Sequence, residues 1–311
     1  MAYTRSMIMQ DNFKTCLLNE KFVEIPISLN RKHINFAIIK LKNNFFDEKQ
    51  LKDFLKNASI TYALPRERVK FLQDQGKLVT LIDEAKAKFR ISKVNEGEGG
   101  ELIAYWINED ILNAPKILSK MKLKTNNNDY VKGADGLHIL QKGENEYEII
   151  LCESKMYENL EDAIDQAFKS IDRFIDGEDL DFEISTLATN LAGEFETIDV
   201  DKIITNILPQ KDGVRSNDAF SIFIGFQVSS DIDRSLDYKE YEEKLIKQIE
   251  LEIKRHKRKL FNKLSEEKRA PFTFYIYLIP FFNINKIRHE IIEDIEGRKD
   301  DWKNSWKSAY K

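Results

Sequence analysis

The sequence predicts a mixed α/β fold (mixed α+β) in which a mixed sheet is flanked by helices. Short apolar segments of strand length alternate with longer segments of helical periodicity, which is the pattern of such folds. Residues 149–152 (IILC) are continuously apolar, so their strand is expected to be buried on both faces at the centre of the sheet. With 311 residues, of which 42% are hydrophobic and 33% charged, the chain has the length and composition of a protein with a full core.

The first part of the chain is predicted to be a mostly helical N-terminal region. One strand is expected over residues 34–41, and two or three helices follow within residues 47–89, with Pro65 at a helix start. We therefore divide the chain into an N-terminal region (1–90) and a second domain (91–311) that ends in helical extensions.

The second domain is predicted to alternate helices and strands. A glycine-rich break at residues 96–100 precedes a helix over residues 101–112, which ends before Pro115 because the residue before a proline disfavours the helical conformation. A polar turn at residues 142–145 joins the first two strands. The strands are predicted over residues 131–140, 147–155, 220–228 and 272–279, and the remaining helices over residues 159–174, 236–264 and the C-terminal segment.

Two short motifs supply the residues of a predicted active site. The motif GADG (133–136) enters one predicted strand, and the motif ESK (153–155) ends the next. Side chains alternate between the two faces of a strand, so Glu153 and Lys155 project to the same side. Antiparallel pairing of the two strands would bring Asp135 towards Glu153.

The acidic residues of these motifs predict a metal site. Two carboxylates that converge at the end of an apolar strand repel each other unless a cation lies between them. Carboxylate oxygens favour hard divalent cations, so Asp135 and Glu153 predict a site for Mg²⁺ or Mn²⁺. A bound metal ion lowers the pKa of its water and stabilises charge on a phosphate. Lys155 would then orient or deprotonate the attacking water, or offset charge on the phosphorus.

The same motifs have a non-catalytic interpretation. Glu-X-Lys occurs by chance in many charged strands, where it forms a solvated ion pair at the strand end. Three features favour the catalytic interpretation: Asp135 at the start of the preceding strand, the glycines Gly133 and Gly136 beside it, and a predicted helix on either side of the strand pair.

The flanking helices contain three accessory candidates. Glu101 lies off the predicted apolar stripe of its helix and is a candidate third metal ligand, or it simply faces solvent. Glu98 lies near the N-terminus of the same helix, where the helix dipole favours a carboxylate in any case. Gln166 of the following helix is a candidate contact to a metal-bound water or a phosphate, or an exposed glutamine.

A basic run on the long helix is a candidate DNA contact, because phosphate neutralisation supplies most non-specific affinity for DNA. The alternative is a solvated helix face. The net charge of −4 does not decide between them, since the clustering of basic residues matters more than their sum. The candidate DNA-binding residues are Lys254, Arg255, Lys257, Arg258 and Lys259.

Several classes of protein are excluded by motif and spacing. Neither the G-x-G-x-x-G nor the G-x-x-x-x-G-K-[ST] pattern occurs, so the chain has no nucleotide-motor signature of its own. Cys16 and Cys152 are far apart and support neither a disulfide framework nor a zinc site. The N-terminus is a poor secretory signal, and apolar runs are too short to span a membrane, so a cytoplasmic protein is expected.

Three motifs together resemble HamA, the nuclease subunit of Hachiman-type bacterial antiphage defence systems. They are GEGGE (97–101), GADGLH (133–138) and CESK (152–155). The resemblance covers most of the chain from about residue 90 onward. It implies a PD-(D/E)xK-type nuclease core and a Mg²⁺-dependent deoxyribonuclease that a helicase partner, HamB, restrains until DNA is sensed. The released nuclease would then cleave DNA without sequence preference.

The resemblance also implies a role for each residue of the site. Glu101 would be the upstream acid, Asp135 the metal-binding aspartate, and Glu153 with Lys155 the paired motif. Two other functions remain as alternatives. One is a catalytically silent adaptor with a nuclease fold that binds DNA or a helicase, and the other is a restriction or repair endonuclease that acts alone.

Overall fold

The structure, a computed structural model, describes residues 12–22, 31–89, 97–119, 134–143, 146–176, 218–229 and 231–297. These residues form a mixed α+β fold in which a mixed sheet is flanked by helices, as the sequence predicts. The described helices are α1 (Glu48–Ala63), α2 (Arg66–Asp74), α3 (Leu78–Lys86), α4 (Glu98–Trp106), α5 (Leu160–Ile175), α6 (Tyr238–Leu264) and α7 (Ile284–Glu296). The described strands are β1 (Leu17–Phe22), β2 (Lys32–Ile39), β3 (Leu41–Lys42), β4 (Phe45–Phe46), β5 (Lys116–Ser119), β6 (Gly136–Gln141), β7 (Tyr147–Tyr157), β8 (Asp218–Gln227) and β9 (Thr273–Phe281).

Seven of the described strands form one sheet in the order β1-β2-β9-β8-β7-β6-β5. The strands β5, β6 and β7 are antiparallel neighbours, whereas β7, β8, β9 and β2 run parallel. The strand β7 lies between β6 and β8, and residues 148–154 are buried. This position confirms that the apolar run at 149–152 belongs to a central strand.

Helices cover both faces of the sheet, and the register shows which helix covers which face. Leu151 of β7 lies in register with Phe220 of β8, which lies in register with Phe274 of β9. The ring of Phe274 packs 6.0 Å from the ring of Phe168, so α5 covers the face to which odd-numbered residues of β7 project. The helix α4 covers the other face, because Gly100 approaches the side chain of Ser154.

The N-terminal strands β1 and β2 belong to the same sheet as β5 to β9, whereas β3 and β4 pair with each other in a separate two-stranded sheet. The strand β2 pairs in parallel with β9, and β1 forms the antiparallel edge beside β2. The division of the chain near residue 90 stays a prediction. Among the residues described, none of the helices is long and apolar enough to cross a membrane.

Most of the predicted boundaries lie within two residues of those observed. The strands β1, β3, β4 and β5 were not predicted, and the strand predicted over 131–140 begins at Gly136. The helix predicted over 101–112 begins at Glu98 and ends in a π-helical turn, Ile107–Ile111. Parts of four predictions lie outside the described residues: the strand start at 131, the flanking Gly133, turn residues 144–145 and the C-terminal segment beyond residue 297.

Candidate active site

The candidate site lies where β6 ends beside β7. The pairing of these strands runs from Gln141 opposite Tyr147 to Gly136 opposite Cys152. Beyond Cys152, β7 continues to Tyr157 and stays paired with β8 on its other side. The residues 153–157 therefore project past the end of β6, and this step in the sheet is where both predicted motifs meet.

Asp135 fills the position next to the end of β6. Its backbone N–H donates to the carbonyl oxygen of Cys152 over 3.0 Å, which extends the ladder by one bond. Its Oδ2 atom accepts two hydrogen bonds of 2.8 Å, one from the backbone N–H of Ser154 and one from the Ser154 hydroxyl. The carboxylate is 8% exposed and is held beside the residue that separates Glu153 from Lys155.

Glu153 and Lys155 form an ion pair on the α5 face of β7, in which Lys155 Nζ contacts Glu153 Oε1. Burial lowers the pKa of Lys155, but the negative charges of Glu153 and Asp135 outweigh it, and the net shift is upward from the usual 10.5. In the ion pair with Glu153, Lys155 is an ammonium group, which can donate hydrogen bonds and offset negative charge.

Two glycines bring α4 close to the site. A Cβ atom on Gly100 would lie 3.3 Å from the Met156 sulfur and 3.4 Å from the Ser154 hydroxyl. A Cβ atom on Gly99 would lie 3.4 Å from the backbone carbonyl oxygen of Arg288 in α7. The glycine-rich segment is thus the first turn of α4, where the absence of side chains lets the helix fit between β7 and α7.

The acids of α4 lie in buried surroundings. Glu98 is 3% exposed, and Glu101 is half-buried. Ala104 and Tyr105, which lie near Glu101 on the helix, are as buried as the apolar stripe. The Oε2 atom of Glu101 accepts a hydrogen bond of 2.9 Å from the phenol of Tyr62 in α1.

The acids of the site raise the pKa values of two buried groups. Burial raises the pKa of the Tyr62 phenol well above 10, and the charges of three nearby acids raise it further: Glu101, Asp135 and Glu98. Burial likewise raises the pKa of the Cys152 thiol, and here the contributing charges are Asp135, Glu153 and Glu101. Asp135 and Glu101 thus both lie within electrostatic reach of Tyr62 and of Cys152.

The donor atoms fit a hard divalent cation. Asp135, Glu153 and Glu101 offer only carboxylate oxygens, which Mg²⁺ and Mn²⁺ prefer. In the described part of the chain, no three His, Cys, Asp or Glu side chains converge into a ready-made metal cluster. Magnesium is commonly held by one or two carboxylates together with waters and substrate phosphate, and such a site needs no larger cluster.

Comparison with models of known protein families shows which family the chain belongs to. A family model described as HamA matches residues 11–295. The chain belongs to the HamA family. No curated protein matches it. Membership of HamA gives the chain a role related to antiphage defence and groups it with nuclease-like proteins.

The remaining candidate residues of this HamA chain lie on α5 and α6. Gln166 is exposed on α5. Lys259 forms ion pairs with Glu161 (2.8 Å) and Asp165 (2.5 Å), which join α6 to α5, and Arg255 pairs with Glu252 of its own helix (2.9 Å). Part of the basic run is therefore neutralised within the molecule. The exposed members are Lys254, Arg255 and Arg258, and Lys257 is half-buried with its amine 5.2 Å from the ring centroid of Phe261.

Sequence reasoning missed three residues that shape the site. Ser154 lies inside the recognised motif, but only the strand register shows that its hydroxyl and N–H hold Asp135. Asn108 donates to the Cys152 sulfur over 3.2 Å from the π-helical turn, a conformation that no sequence pattern indicated. Tyr62 lies 39 residues before Glu101 in another helix, and local patterns carry no information about that contact.

Proposed function

We propose that this HamA-family chain is a metal-dependent DNA endonuclease, the effector of an antiphage defence system, and that a helicase partner releases its activity. The observation that carries the proposal is the position of Asp135, whose carboxylate is bonded to Ser154 between Glu153 and Lys155. The element order α4-β5-β6-β7-α5-β8, with β8 parallel to β7, supports a PD-(D/E)xK-type core.

Each residue of the site has a proposed role. Asp135 and Glu153 would hold Mg²⁺ or Mn²⁺, with Glu101 as the third acid. The bound cation would activate a water and stabilise charge on the scissile phosphate. Lys155 would donate hydrogen bonds to the phosphate oxygens and offset their developing charge, as the ammonium form that pairs with Glu153 allows. Ser154 keeps Asp135 in place.

The partners follow from the same proposal. Exposed basic residues of α6, with Lys254 and Arg258 foremost, would contact DNA phosphates. The sequence contains no nucleotide-motor motif, which is compatible with an ATP-driven survey of DNA by a separate helicase subunit. That division of labour is what HamA membership suggests.

Plasmid cleavage tests the proposal. We expect the purified chain, alone or with its helicase partner, to cleave plasmid DNA with Mg²⁺ and to stop when EDTA is added. The Glu153→Gln and Lys155→Met substitutions should each lower the cleavage rate by about 10²–10³-fold, the usual effect of removing a group that stabilises transition-state charge.

Glu148→Gln is the matched control. Glu148 is as buried as Glu153 (5% exposed in both) and lies on the same strand, but at its opposite end. Cleavage by this variant should match the wild type. The site assignment fails if folded Glu153→Gln and Lys155→Met variants cleave at the wild-type rate. Binding of a helicase by a wild-type chain that never cleaves would instead favour the adaptor.

A further inference from the structure

The N-terminal region contributes a buried tyrosine to the surroundings of the candidate active site. Tyr62 lies in the last turn of α1 and is 1% exposed. Its Oη atom donates a 2.9 Å hydrogen bond to Oε2 of Glu101. Its ring packs against Tyr105 of α4, with ring centroids 5.4 Å apart. One residue of α1 thus contacts both an acid of α4 and the aromatic side chain one turn further along the same helix.

The position of Tyr62 is fixed by its backbone as well as by its ring. Lys116 of β5 is fully buried, and its ammonium group donates to the carbonyl oxygens of Thr61 (2.6 Å) and Leu64 (3.2 Å). The Ser119 hydroxyl donates to the carbonyl oxygen of Tyr62 over 2.8 Å. A buried cation at the C-terminal end of α1 also opposes the negative end of the helix dipole. The strand β5 therefore holds the end of α1 against the site.

The phenol of Tyr62 donates the hydrogen bond that it shares with Glu101, because an ionised carboxylate can only accept. An O–H donor stabilises the charged form of the carboxylate that accepts from it. Glu101 follows Gly100, which approaches the Ser154 hydroxyl that holds Asp135. The ionised form of Glu101 is the one that a cation or a metal-bound water would contact.

We propose that Tyr62 is a positioning residue of the nuclease site, which holds the ionised Glu101 carboxylate beside Asp135 so that this carboxylate can contact a divalent cation or its water. The inference rests on the proposed function and assigns the N-terminal region a direct part in it. A tyrosine with a structural role alone would contribute only to the stability of the fold.

Metal binding in the absence of DNA tests this role. We expect Tyr62→Phe, which keeps the ring and removes the hydroxyl, to weaken Mn²⁺ binding about tenfold by isothermal titration calorimetry, equivalent to ~1.4 kcal/mol. The Mg²⁺ concentration for half-maximal cleavage should rise by the same factor, while the cleavage rate at saturating Mg²⁺ changes little. In a Glu101→Gln background, Tyr62→Phe should have no further effect, because the two residues act through one contact.

Tyr275→Phe is the matched control. The Tyr275 phenol donates to Glu148 over 2.7 Å, and both residues are buried at the opposite end of the sheet. This variant loses the same kind of bond and should keep wild-type metal binding. Unchanged Mn²⁺ affinity in Tyr62→Phe, or equal weakening in the Glu101→Gln background, would overturn the inference while the proposed function stands. A wild-type chain that neither binds Mn²⁺ nor cleaves DNA would overturn both.

Discussion

The charge on Lys155 is set by two carboxylates within its own site. Burial alone would favour the neutral amine, but Glu153 and Asp135 keep the ammonium form and raise the pKa above its usual 10.5. A divalent cation on the same carboxylates would offset their charge and lower this pKa. The ion pair with Glu153 supports charge compensation on the phosphate as the proposed role of Lys155, and deprotonation of the attacking water is the alternative.

The pH dependence of cleavage distinguishes these roles. A group whose pKa is raised is protonated at every pH below its usual pKa. It loses its proton only as the pH rises through the raised pKa. We expect no loss of cleavage from deprotonation of Lys155 below about pH 10. A pH–rate profile at saturating Mg²⁺ measures this, with Lys155→Arg as the permanently charged reference. If the wild-type rate rises as Lys155 loses its proton, and the Lys155→Arg variant shows no such rise, the amine acts as a base.

At the scale of single elements, the first turn of α4 determines how closely the acids of this helix approach β7. Gly100 faces Met156 and Ser154 at distances that leave no room for a branched side chain. Since Ser154 holds Asp135 and the next residue along α4 is Glu101, any outward shift of the helix would separate these two acids. The glycines therefore link helix packing to the geometry of the candidate site.

Gly100→Val tests this link. The added methyl groups should push α4 away from β7, lower the free energy of unfolding by about 1–3 kcal/mol and weaken Mn²⁺ binding. Urea denaturation and calorimetry measure the two effects. Gly143→Ala is the control, because its Cβ would meet only the side chain of Glu146 at 3.5 Å. If Gly100→Val retained wild-type metal affinity despite a clear loss of stability, α4 would not position the acids.

At the scale of the whole molecule, local sequence patterns predicted where helices and strands form better than they predicted which strands pair. The buried strand β7 was predicted from its apolar run, and α1, α2 and α3 from their helical periodicity and Pro65. The strand β5 was missed because four residues after a proline are too few to show an alternation. No local pattern indicated that β2 pairs with β9, since strand pairing is a long-range contact.

The features of the candidate site also fall into those that are local in sequence and those that depend on long-range packing. Asp135, Glu153 and Lys155 could be predicted as site residues because the motif and the strand period are local in sequence. The support of Asp135 by Ser154, the buried state of Glu98 and the bond from Tyr62 to Glu101 depend on packing between distant segments. These contacts emerge only from the folded chain.

The central claim is that Asp135 and Glu153 together hold a divalent cation at the step between β6 and β7. Anomalous diffraction from crystals soaked in Mn²⁺ tests it most directly. We expect a single strong peak with carboxylate oxygens of both residues about 2.1 Å away, and its loss in Asp135→Asn. The account would be contradicted if crystals of an active protein bound Mn²⁺ elsewhere while Asp135 still contacted only Ser154 and Glu153 only Lys155.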